Sequence, residues 1–172
     1  MMNLLLLTTL LALAETRAPA SQVAAIPVAA VWQEFSPHPN QKEPRQLEVG
    51  VWSDGTLVWR ENDKHLTAKI DQSEVDKLLK DLDEMKFFDD PQISRQPNQY
   101  PPDASHFVVA ADFGDKHQRL ASWRDPPESG GERFKEIFMA SRKRIRAIVP
   151  AKGNPTEKFD QTVYRVGRVN SR

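Results

Sequence analysis

Residues 45–88, RQLEVGVWSDGTLVWRENDKHLTAKIDQSEVDKLLKDLDEMKFF, decide the fold. Two apolar-rich runs, up to Trp52 and from Thr56, flank Asp54-Gly55. That pair suits a two-residue type I′ turn, in which both central residues take positive φ. A loop of that length sets Trp52 opposite Leu57, Val51 opposite Val58 and Gly50 opposite Trp59. Alternation then gives Leu47, Val49, Val51 and Val58 one face and Trp52, Leu57 and Trp59 the other. His65–Ile70 reads as a third extended run. Asp71 with Glu74 three residues on forms a capping-box pair at a helix start. Val75, Leu78, Leu79, Leu82 and Met85 follow as one apolar stripe at helical spacing. Phe87-Phe88 anchors the helix end in the core.

A looser second copy lies downstream. His106–Phe113 and Lys116–Trp123 flank Gly114-Asp115, a pair suited to a II′ loop. Phe107, Val109, Ala111, Phe113 and Leu120 then share the core face, while His106, Asp112, His117 and Trp123 share the opposite one. A second helix is expected over residues 131–149, with Phe134, Ile137, Phe138, Ile145 and Ile148 as its stripe. Arg142, Lys143 and Arg146 are expected to point away from that stripe. The pattern predicts an α+β domain of ββαββα type, an antiparallel sheet of two hairpins with both amphipathic helices packed on one face.

Outside this unit the chain divides further. Leu4–Ala14 is apolar over a length too short to span a bilayer, and A-x-A sites end at Ala14 and Ala20. Residues 1–20 therefore read as a signal peptide and the protein as exported, periplasmic or extracellular in a bacterium. Residues 21–45 read as an irregular segment whose Val28–Phe35 stretch is a candidate edge strand. Residues 46–149 form the domain. Residues 150–172 are a tail with a possible strand at Thr162–Val166. Residues 89–104, with four prolines, form a long loop. No later segment is apolar enough to span a membrane.

The 172 residues contain no cysteine, which excludes disulfides, thiol catalysis and cysteine-ligated metals. Stability must then come from the core alone, as expected of a bacterial envelope protein rather than a disulfide-dense extracellular module. The net charge of zero conceals an asymmetry: residues 1–131 carry 13 Lys/Arg against 20 Asp/Glu, and residues 132–172 carry 11 against 4. Arg142–Arg146 accordingly offers positive charge to an anionic polymer or lipid headgroup, although its simplest reading is a solvated helix face.

Asp112-Phe113-Gly114 spells a kinase triplet without the glycine-rich loop or the catalytic loop that would give it meaning. The four histidines lack metal-ligand spacing, and no serine has a nucleophile-elbow context. His117 and Asp112, opposite each other across the second hairpin, could orient an imidazole, but a cross-strand pair near a turn does so without catalysis. No catalytic residue, metal site or cofactor is assigned. The sharper candidates are Trp52, Trp59, Trp123 and His106, whose side chains would make an aromatic platform on the helix-free face. Such a platform stacks on sugar rings or receives a peptide, unless another segment covers it as a second small core.

Val51, the run from Ser53 to Trp59, Leu66, Ile70-Asp71, Glu74-Val75, Leu78-Leu79 and Phe87-Phe88 make a pattern similar to a recurrent class of small exported bacterial domains of unknown function. The likeness spans roughly Leu47 to Ile148 and implies an envelope origin without a mechanism. The leading expectation is a non-enzymatic exported domain that binds a protein or an envelope polymer, and export makes nucleic acid an unexpected partner. A carbohydrate-binding module using the tryptophan face is the alternative, and a hydrolase with an unrecognised site the third reading.

Overall fold

The structure is a computed structural model that describes residues 27–35, 45–89, 105–128 and 130–156. The signal-like segment, the proline-rich loop after Asp89 and the candidate strand at Thr162–Val166 lie outside them. In chain order the elements are β1 (Ala29–Glu34), β2 (Arg45–Val51), β3 (Thr56–Glu61), β4 (Lys64–Lys69), α1 (Gln72–Glu84), β5 (His106–Phe113), β6 (Lys116–Ser122), α2 (Gly131–Arg146) and β7 (Asn154–Pro155). The protein is mixed α+β, with one antiparallel sheet of seven strands ordered β6-β5-β1-β2-β3-β4-β7 and two helices among the described residues.

This element order is not the expected ββαββα, because β1, β4 and β7 join the two hairpins in one sheet. The largest change concerns β1. The sequence suggests an edge strand there, yet β1 is an interior strand that pairs with β2 on one side and β5 on the other. Its composition explains the placement. Ala29, Ala30, Val31 and Trp32 are all buried, so both faces of the strand are apolar and both need cover.

The first hairpin is closed differently from the expectation. Gly55 N–H donates to Trp52 C=O at 3.0 Å, Trp52 N–H donates to Thr56 C=O at 2.8 Å, and Gly55 has φ of 79°. Ser53, Asp54 and Gly55 therefore form a three-residue loop, a tight turn followed by a left-handed glycine bulge. Val51 pairs with Leu57, Gly50 with Val58 and Val49 with Trp59. That is one residue away from the two-residue register, and a one-residue slip exchanges the faces of a strand. Leu57 and Trp59 consequently join Val49 and Val51, while Val58 joins Trp52. β3 and β4 are joined by Asn62-Asp63, both at positive φ (48° and 63°), between the paired residues Glu61 and Lys64. The true two-residue turn with two left-handed residues is thus the second one in this stretch.

The second hairpin has the expected register, with Asp112 opposite His117 and Phe113 opposite Lys116. α1 buries Val75, Leu78, Leu79 and Leu82 as its periodicity predicts. Asp71 occupies the N-cap position without a side-chain capping bond, so the expected capping box does not form. At the other end Phe87 N–H reaches Leu82 C=O and Lys86 N–H reaches Asp83 C=O, with Lys86 at φ of 66°. This 6→1 and 5→2 pair is the Schellman arrangement, and it turns Phe87 into the core.

The buried apolar residues fall into two clusters. The larger joins Val75, Leu78, Leu79 and Leu82 of α1 and Phe134, Ile137, Phe138 and Ile145 of α2 with strand residues such as Val31, Val49, Leu57, Trp59, Val109 and Leu120. The smaller contains Ala30, Trp32, Leu47, Trp52, Val58, Val108 and Ala110. Among the described residues, none from a helix belongs to it.

Candidate functional site

The residues proposed as an aromatic platform do not form one face, because Trp52 and Trp59 fall in different clusters. Trp52 is 1% exposed in the smaller cluster, with its ring against Gly50; a methyl group at Gly50 would meet the ring at 2.8 Å. Trp59 is 4% exposed and belongs to the larger cluster. The register that separates them is set by the three-residue turn. Trp123, past the end of β6, is half-buried with the Arg124 guanidinium 4.2 Å over its ring. His106 is half-buried opposite Glu34, and burial holds its pKa below the usual value, opposed by the nearby Glu34 charge and assisted by Arg119. Trp52 and Trp59 thus have no open ring face on which a sugar could stack.

His117 and Asp112 do meet, with Nδ1 and Oδ1 2.9 Å apart. The imidazole side chain is 51% exposed near the hairpin tip. No group of three or more His, Cys, Asp or Glu among the described residues is placed to hold a metal ion. No helix among the described residues is long and apolar enough to cross a membrane.

The geometry draws attention instead to a cleft of about 250 Å³ lined by Gln33, Gln46, Leu47, Glu48, Arg60, Phe107, Arg142 and Arg146. Its floor is where β1, β2 and β5 run side by side: Gln33 pairs with Gln46 on one side and with Phe107 on the other. The β1–β2 register shifts between Val31 and Trp32, whose partners are Val49 and Leu47. Glu48 is therefore the extra residue of a β-bulge, and a bulge re-aims a side chain. Without it, strict alternation would turn Glu48 away from the face that carries Val49. With it, the carboxylate reaches α2.

On α2, Arg142 and Arg146 lie four residues apart and share a face. Arg142 donates to Glu48 Oε2 at 3.1 Å and pairs with Asp125, and its guanidinium carbon lies 5.1 Å from the centre of the Phe107 ring. Arg146 pairs with the other Glu48 oxygen. Arg60 reaches the cleft from β3 and pairs with Asp63, which is itself exposed. The sequence suggests that Arg142 points into solvent; it is only 5% exposed. Its place on the wheel explains why, since it stands four residues after Phe138 and three before Ile145, within the apolar stripe. Its Nε, buried, has no hydrogen-bond partner among the described residues. A buried guanidinium donor without a partner is costly. Partial burial also lowers the pKa of Arg146 from its ordinary value, though a guanidinium stays cationic.

Sequence reasoning missed this site for a definite reason. An arginine inside an apolar helix stripe is a readable signal, and Arg142 carries it. The bulge at Glu48 is a backbone irregularity whose position no residue marks, since the strand's glycine, Gly50, stands two places on and makes room for the Trp52 ring, so the carboxylate's direction is not written locally. Chemically, three guanidiniums and two amides around one carboxylate make a donor-rich recess suited to binding an acceptor. Comparison with protein-family models, with curated proteins and with solved structures finds no match.

Proposed function

We propose that the chain is an exported, non-enzymatic domain of a bacterial envelope that binds a protein or envelope partner, with the cleft beside α2 as the docking point. The observation that carries this reading is the donor-rich recess, in which Arg142 is nine-tenths buried and its Nε–H has no partner among the described residues. The reading rests on both helices lying over one face of the sheet, supported by the single cluster that joins their apolar stripes to Val49, Leu57 and Val109. Export is supported by the apolar run at Leu4–Ala14 and the A-x-A sites after it.

The test places a photoreactive amino acid at Gln46, in the cleft, and separately at Lys77, on the exposed side of α1, in the full chain expressed in a bacterium. Cell fractionation should find the protein outside the cytoplasm. Irradiation should give one discrete crosslinked species from position 46 and none from position 77. A cytoplasmic protein would contradict the export, and the same products or none from both positions would contradict the docking point.

A further inference from the structure

We infer that the cleft is a receptor for a side-chain carboxylate, so that the partner is an acidic peptide segment; this rests on the cleft being the docking point. Size bears on the ligand first. A recess of about 250 Å³ lies below the roughly 300–1,000 Å³ of pockets that bury drug-sized ligands, so it suits a small polar group such as a side-chain end. Donor chemistry bears on it next. Among the lining residues three arginines face one acidic residue, Glu48, which Arg142 and Arg146 share, while Arg142 also pairs with Asp125 and Arg60 with the exposed Asp63 outside the lining. The remaining donor capacity includes the buried Arg142 Nε.

Guanidinium forks match planar carboxylates through paired N–H···O bonds, and these charge-assisted bonds gain strength where water is excluded. Phe107 backs the Arg142 guanidinium on one side and helps to exclude water there. The Gln33 and Gln46 amides beside the recess each offer a donor and an acceptor, the pattern that a peptide backbone amide presents in return. Glu48 is then the internal anion that keeps the recess compensated while it is empty, and an incoming carboxylate competes with it for Arg146.

The test is a titration of the full chain with N-acetylglutamate amide, followed through the Arg142 Nε–Hε signal in proton–nitrogen spectra. Its neutral counterpart, N-acetylglutamine amide, and inorganic phosphate are run as comparison arms. The expected result is a saturable shift with the glutamate probe and at least tenfold weaker binding of both others. Arg60→Gln should weaken the glutamate probe several-fold. Glu48→Gln should tighten it several-fold, because the internal competitor is gone, and the probe should then raise the Tm of that variant more than that of the wild type. Arg60 carries the test if Glu48→Gln fails to fold, since its own partner Asp63 is exposed. Equal binding of the neutral probe, binding of phosphate as tight as glutamate, or no saturable shift would each overturn the inference. If a discrete crosslink from position 46 persists in that case, the docking point stands and only its ligand chemistry is wrong.

Discussion

The two hairpins on either side of β1 are closed by turns that differ by one residue. β5–β6 turns through Gly114 and Asp115 and keeps its residues in direct opposition. β2–β3 turns through Ser53, Asp54 and Gly55, with the extra residue absorbed by a left-handed glycine. Both turns contain one aspartate and one glycine, and the order and number of residues decide the outcome. A turn is a register device: the shorter loop sets Asp112 opposite His117, and the longer one sends Trp59 into the larger cluster and Val58 into the smaller.

The largest effect should separate the tryptophans themselves. Trp59→Ala removes a large side chain that is 4% exposed and is expected to cost about 3–5 kcal/mol, as for other buried aromatics. Trp123→Ala, at a half-buried position after β6, should cost about 1 kcal/mol or less. Urea denaturation of both variants checks this, and equal losses would break the assignment of faces.

The turns can be compared at their glycines. Gly55→Ala forces a side chain onto φ of 79° and brings its methyl group to 2.3 Å from the Ile70 carbonyl oxygen. Gly114→Ala meets φ of 64° but open space. The second should cost about 1 kcal/mol, the ordinary left-handed penalty, and the first about 2–3 kcal/mol because the backbone at Ile70 must also move. Thermal denaturation orders the two.

A smaller effect concerns acid. The Lys69 ammonium hydrogen-bonded to Asp54, aided by the Thr56 N–H and hydroxyl, holds the Asp54 carboxyl down at about 2 against an ordinary 3.8. A depressed carboxylate pKa stabilises the fold above the unfolded value, and that stability is lost as the pH falls through the folded value. The contribution is therefore complete above about pH 4 and drains between about pH 4 and 2. Both side chains are largely exposed, so it should stay below about 1 kcal/mol. In Asp54→Asn the stability of the first hairpin should lose this part of its slope, measured by urea denaturation across that range.

Much of this architecture is legible in the residues. The stripes of α1 and α2, the anchoring of Phe87 and the register of β5–β6 follow from periodicity and from Gly114-Asp115, because in each the local signal agrees with the packing. Three features escape for physical reasons. Asp54-Gly55 serves equally as a two-residue turn or as the end of a three-residue one, and the choice lies in packing: Leu57 and Trp59 are buried best beside Val49 and Val51. Ala29–Trp32 reads as an edge strand until its two apolar faces are given equal weight. The Glu48 bulge, which makes the cleft, is fixed by the partners of that carboxylate on α2, almost a hundred residues away in the chain.

Turn length and a bulge, rather than composition, decide which side chains of this sheet are open to a partner. Cross-strand Hα–Hα contacts in an NMR spectrum test it most directly, since these are short only between residues that do not exchange hydrogen bonds. The three-residue turn predicts them for Val51 with Leu57 and for Val49 with Trp59. Contacts of Trp52 with Leu57 and of Gly50 with Trp59 would instead report the two-residue turn, return Trp52 and Trp59 to one face, and contradict the three-residue register.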